Sequence, residues 1–137
     1  MRQPEVSPET LPNEYLQLID GSTYHLTKGK PVVIHFWATW CRVCKMESDN
    51  IDRLARKYEV ITIAVNSGSD DEIRNYMEQQ GVHFNVYNDN EGRWAKRFGV
   101  EVFPTTFIYD AKGVLRFTEV GYTTTAGLMT RLKLVKP

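Results

Sequence analysis

The chain has 137 residues, enough for one domain that buries roughly two-thirds of the surface its unfolded form exposes. Its 17 basic and 17 acidic residues cancel, which argues against a general electrostatic grip on nucleic acid or an anionic membrane. Hydrophobic residues at 42% and charged residues at 25% exclude global disorder, and no stretch approaches the roughly 20 apolar residues that span a bilayer. The 2 cysteines, Cys41 and Cys44, exclude a disulfide scaffold and a four-cysteine zinc site.

Residues 1–13 place prolines at 4, 8 and 12 with charges between them, a pattern that reads as a flexible, solvated linker. The folded domain is expected over 14–137. Tyr15–Ile19 and Ser22–Leu26 flank Asp20-Gly21, which predicts an N-terminal β-hairpin with a two-residue turn. Pro31–Trp37 is nearly continuously apolar, as in a central strand covered on both faces. From Cys41 the period changes: Ile51, Leu54, Ala55 and Tyr58 follow the i, i+3, i+4, i+7 spacing of an amphipathic helix. Val60–Val65 reads as another buried strand. Ser69-Asp-Asp-Glu opens a second helix with acids at its positive end, and Gly81 closes it. Val82–Tyr87 is expected to be extended, with a helix following around Glu91–Phe98. Thr105–Tyr109 and Val114–Val120, joined by Asp110–Gly113, form a second hairpin. A terminal helix over Thr124–Val135, weakened by Gly127, ends the chain. This order implies an α/β fold, a central mixed β-sheet with helices on both faces.

The chemistry lies where the central strand meets the first long helix. Cys41 falls at the first helical turn and Cys44 three residues on, so both sulfurs share one side, close enough to join. The unpaired N–H groups and the dipole at a helix N-terminus favour a thiolate at Cys41. Acid-shifting a thiol raises its thiolate fraction while lowering its nucleophilicity, so such a position tunes the direction of exchange more than its speed. Thiol–disulfide exchange is the leading reading, because the pair follows a buried strand and precedes a helix. Three others stand beside it: half of a zinc site, a two-thiolate Cu(I) module and an inert bridge. The first lacks a second cysteine pair, and His25, His35 and His83 show no ligand spacing. The last would close too short a loop to remove much unfolded-chain entropy.

Phe36-Trp-Ala-Thr-Trp-Cys-Arg-Val-Cys44 resembles the active-site motif of the thioredoxin superfamily. Glu47, Ile63-Ala-Val-Asn66 and the run from Phe98-Gly-Val to Phe103-Pro-Thr-Thr-Phe107 narrow the resemblance to the bacterial TlpA/ResA-like thioredoxins. Gly121-Tyr-Thr-Thr-Thr125 is most similar to the suppressor-of-copper-sensitivity D (ScsD-like) branch. The resemblance implies a thioredoxin-like fold and a thiol–disulfide oxidoreductase acting on protein thiols and disulfides. It implies Cys41 as the attacking sulfur, Cys44 as the resolving one, and Glu47 as an acid that influences their ionisation. It makes Pro104 a cis-proline opposite the pair, with Phe103 offering backbone polar groups to a partner chain. No metal or organic cofactor is expected, because the sulfurs carry the electrons. The family also implies a periplasmic location, a membrane anchor outside this chain, and a membrane electron donor that recharges a reductase. A disulfide-donating oxidase is the alternative direction.

The motif departs from the family at three points. Val43 stands where proline is common and restores an N–H donor. Arg42 adds a positive charge beside the sulfurs. His35 replaces the buried acid of ordinary thioredoxin, and is either a proton acceptor for Cys44 or a core histidine with one nitrogen satisfied. Trp40, adjoining the reactive cysteine, is expected to line the substrate surface with Arg42 and Val43, whereas Trp37 belongs to the core. Asp70-Asp71-Glu72 is explained by helix-start charge. Tyr122 and the threonines after it carry resemblance without a physical role.

Overall fold

The computed structural model describes residues 8–135. Its strands are β1 (Glu14–Gln17), β2 (Thr23–Leu26), β3 (Val32–Trp37), β4 (Glu59–Val65), β5 (Asn85–Asp89), β6 (Thr105–Tyr109) and β7 (Leu115–Val120). Its helices are α1 (Arg42–Ala55), α2 (Asp70–Gln80), α3 (Arg93–Arg97) and α4 (Thr125–Val135). The main sheet runs β5-β4-β3-β6-β7, with β3 parallel to β4 and antiparallel to β6. β1 and β2 form a separate antiparallel pair.

The apolar run predicted to be central is so: every residue of β3 is buried. Its alternation splits the core. Val33 and Trp37 face a cluster with Ile51 and Leu54 of α1, Ile73 and Met77 of α2, and Leu128 and Leu132 of α4. Ile34 and Phe36 face the other way, against Trp94 of α3, Phe98 and the hairpin residues Leu16 and Leu26. Helices therefore cover both faces of a mixed sheet. Full burial of one such leucine or isoleucine contributes about 1.5–3 kcal/mol, so Ile51 and Leu54 alone fix which face of α1 points inward. Ser69 and Glu72 complete a reciprocal capping box, and Gly81 ends α2 in the left-handed region at φ +70°, as the sequence predicts.

Three expectations need correction. The hairpin turn is longer than two residues, because Gln17 pairs with Thr23 and leaves 18–22 as the loop. Leu18 keeps one bond across the hairpin, its N–H donating to the Ser22 carbonyl at 2.9 Å, and also bridges Tyr87 of β5, while the Ile19 N–H leaves for the Val86 carbonyl at 3.0 Å. Both side chains are buried there, which outweighs a tight turn. β5 starts at Asn85 rather than Val82, since the Val82 N–H is taken by Met77 at 3.1 Å and the His83 N–H by Asp52 Oδ1 at 2.7 Å. Within the expected 1–13 linker, residues 1–7 lie outside the described residues, while 8–11 are tied to the β6–β7 hairpin. Leu11 is buried and its N–H donates to Gly113 at 2.8 Å, Leu115 donates to Glu9 at 2.9 Å, and the Tyr109 hydroxyl donates to the Pro8 carbonyl.

Candidate active site

Cys41 is the N-cap of α1, with extended backbone at φ −102° and ψ 115°. A cap side chain ordinarily offers an oxygen to the orphan N–H groups of the first turn. Here sulfur does so: the Cys44 N–H donates to Cys41 Sγ at 3.2 Å. The same sulfur faces an acceptor, the Phe103 carbonyl oxygen, at 3.6 Å. Cys41 is half-buried and both cysteines are free thiols.

Cys44 lies one turn deeper and is 2% exposed. Burial pushes its thiol well above the usual range; its hydrogen bond with Cys41 and the charges of Cys41 and Glu47 push the same way, against a backbone bond at Ala38. The two cysteines thus differ in access, one reachable and one withdrawn behind it.

Glu47 is a further turn along the same face and fully buried. Burial raises its pKa to about 7, opposed by the Thr123 N–H that donates to Oε1 at 3.3 Å. Its Oε2 has no partner among the described residues. A buried acid titrating near neutrality is thereby electrostatically linked to the Cys44 thiol.

The opposite wall is the loop before β6, where the Phe103–Pro104 peptide is cis. Phe103 meets Trp40 edge-on at 5.6 Å between ring centres. Trp40 is 60% exposed, yet its Nε1 donates to the Asn66 carbonyl at 2.9 Å. Asn66 itself sits at φ +48°, the one non-glycine in the left-handed region among the described residues. Val43 is exposed beside the pair, as is Arg42 in the first turn of α1. Met46 on α1 and Val102 just before Phe103, neither singled out by the sequence, are also exposed apolar residues.

His35 faces the α1 side of the sheet between Thr62 and Thr106, its partners on the neighbouring strands. Its Nδ1 is hydrogen-bonded to Thr106 Oγ1 at 2.8 Å, and burial lowers its pKa to about 3. A ring so hard to protonate is a poor acceptor for a thiol proton, which favours the core-histidine reading. Trp37 is core, stacked on Tyr76 at 5.4 Å. Tyr76 is a second residue the sequence did not flag. Burial, then the charges of Cys44 and Cys41, raise its phenol to about 12, and its hydroxyl has no partner among the described residues. Nothing local to α2 could have revealed that link, since it spans more than thirty residues of chain. No group of three or more His, Cys, Asp or Glu side chains among the described residues could hold a metal ion.

The AhpC/TSA family model matches residues 5–118, a span that contains the cysteine pair, Glu47 and the cis-proline loop. The chain belongs to the AhpC/TSA family. A thioredoxin-like protein of Haemophilus influenzae is 34% identical over 136 residues, covering 96% of this chain and 80% of the relative. The thiol-disulfide oxidoreductase ResA of Geobacillus thermodenitrificans is 30% identical over 134 residues, covering 93% of this chain and 77% of the relative. Among solved structures, an exposed lipoprotein thioredoxin of Streptococcus pneumoniae superposes with a TM-score of 0.76 at 28% identity, covering 88% of this chain and 98% of that one. This AhpC/TSA member is, with those relatives, a redox enzyme of thioredoxin-like fold. Among its described residues no helix is long and apolar enough to cross a membrane.

Proposed function

We propose that the chain exchanges disulfides with cysteine-containing proteins, working as a reductase. The observation that carries this is the division of labour between the sulfurs: Cys41 is reachable and capped by the Cys44 N–H, while Cys44 waits behind it, withdrawn from water. The Cys41 thiolate attacks one sulfur of the substrate disulfide, and the other substrate sulfur departs and takes a proton. Cys44 then loses its proton and attacks Cys41 Sγ. The second substrate sulfur leaves as a thiol, and the pair, having given up two electrons, is left as a disulfide. A proton passed from Cys44 to Glu47 leaves the net charge of this dry pocket unchanged, so it never holds two negative charges.

The same burial supports that direction. Pairs whose reduced form is stabilised as a thiolate are strong oxidants. Burial disfavours an anion on Cys44, which supports a pair whose reduced form is held as a thiol at that sulfur. The compartment we propose is the periplasm, with a membrane anchor outside this chain and a membrane electron donor restoring the dithiol. The exposed-lipoprotein relative supports that placement. The Gly121–Thr125 resemblance adds copper stress as the physiological setting.

The test is reduction of insulin disulfides in metal-free buffer, together with the equilibrium potential against glutathione. Turnover that depends on Cys41 and a potential below about −230 mV support the reading. A potential near −120 mV would mark a disulfide donor, and no exchange without Cu(I) would mark a copper-binding module.

A further inference from the structure

The segment between β7 and α4 has no part in the sulfur chemistry, yet α1 grips it at two positions one turn apart. Glu47 Oε1 accepts the backbone N–H of Thr123 at 3.3 Å. Asn50 Nδ2 donates to the carbonyl of Thr123 at 3.2 Å and to the hydroxyl of Tyr122 at 3.0 Å. Both backbone polar groups of Thr123 are therefore held by the same face of α1, since positions three apart share a face. The start of the segment is fixed too, because the Gly121 N–H donates to the Pro104 carbonyl at 2.7 Å. Beneath this cover lies a fully buried carboxyl with one oxygen unpartnered among the described residues. Such a group stays dry only while its cover is held down, because hydration would recover the desolvation cost of an unpaired polar atom.

We propose that Asn50 is a positioning residue that pins Tyr122 and Thr123 over Glu47, so that the carboxyl exchanges its proton with the resolving cysteine rather than with solvent. The consequence for turnover rests on the oxidoreductase reading above; the clamp itself does not. Titratable groups on the surrounding elements include Cys41 and Cys44 at the start of α1, Tyr122 in the segment, the Glu119–Arg131 pair joining β7 to α4 at 2.6 Å, and His35 on β3, already bonded to Thr106. The charge of Glu47 acts on Cys44. Opening the clamp has two opposed effects on Glu47: water lowers its pKa, and loss of the Thr123 N–H raises it. Burial is the larger influence, so the net change is downward.

A carboxyl-carbon NMR titration of the reduced chain, with Glu47 assigned by its disappearance in Glu47→Gln, reads the clamp directly. The wild type should titrate near pH 7. Asn50→Ala should lower the midpoint by about one pH unit or more, a tenfold rise in acid dissociation constant. Tyr122→Phe, which keeps the Thr123 carbonyl contact, should lower it by less. A merely structural Asn50 would reduce thermal stability and leave the midpoint within about 0.3 unit of wild type, which overturns the proposal. Should Asn50→Ala fail to fold, Asn50→Ser is read by the same criterion. A wild-type midpoint at the value of an exposed glutamate also overturns it. Because no substrate enters the titration, a shifted midpoint in a chain that reduces no insulin would sink the exchange reading and leave the clamp standing.

Discussion

Cys41 Sγ lies 3.6 Å from the carbonyl oxygen of Phe103, so the sulfur proposed to attack and the backbone that would receive a partner chain share one surface. Cys44 is buried behind that surface, its N–H bonded to Cys41 Sγ at 3.2 Å. Replacing Cys44 with Ala should therefore leave the first attack intact and stall the reaction at the mixed disulfide. Replacing Cys41 with Ser should abolish attack altogether. Non-reducing gels with a cysteine-containing substrate check both, and a Cys44→Ala protein that turned over at the wild-type rate would refute the assigned order.

Glu47 should make the fold less stable as the solution turns alkaline. Its folded pKa is raised to about 7 from an ordinary 4.5, mainly by burial. A raised folded value means that the contribution is fully present below pH 4.5 and lost as pH climbs through 7. The loss is on the order of 3 kcal/mol in unfolding free energy relative to the Glu47→Gln protein. Urea melts at pH 4.5, 6 and 8 measure it. The variant should show no such decline between those values, and parallel curves for the two proteins would contradict a dry carboxyl.

His35 predicts the opposite limb. Its folded pKa is depressed to about 3 by burial, so its contribution is present above its ordinary 6.5 and falls as the solution acidifies. The decline should approach roughly 1.4 kcal/mol for each pH unit below 6.5. His35→Leu should remove this limb and cost about 1–3 kcal/mol at pH 7, because the Thr106 hydroxyl loses its partner. Stopped-flow release of the mixed disulfide should be unchanged in the same variant; a slower release would restore the proton-acceptor role.

Much of this was legible from residues whose meaning is local. Ser69 and Gly81 bracket α2 because a cap and a left-handed stop act within one turn. The cysteine pair is legible for the same reason, being one helical turn at the end of a buried strand. What could not be read arises between distant segments. Asn50 meets Tyr122 and Thr123 across more than seventy residues, and no spacing in either stretch announces it. Ile19 abandons its predicted hairpin for Val86, and Leu11 leaves its predicted linker for Gly113, each because tertiary burial overrides a local turn or proline pattern. His35 was ambiguous in sequence because a core histidine and a base look alike until the neighbouring strand supplies Thr106.

Trp40 is the residue through which protein substrates should be told from small disulfides. It is 60% exposed but not free, being held by the Asn66 carbonyl at 2.9 Å and by the edge of Phe103. Those contacts contribute about 1 kcal/mol for the hydrogen bond and about 0.5–1.5 kcal/mol for the aromatic pair. A wall fixed in advance loses little rotamer freedom when a partner chain docks, so its apolar face is available for binding. Trp40→Ala should raise KM for a protein disulfide about tenfold, equivalent to about 1.4 kcal/mol, with a much smaller effect on kcat. Oxidation by glutathione disulfide, which needs only the sulfurs, should change by less than about threefold, below about 0.7 kcal/mol. Steady-state kinetics with both substrates separate the outcomes: equal losses for the two would mean that Trp40 supports the cysteine pair itself and not the docking surface.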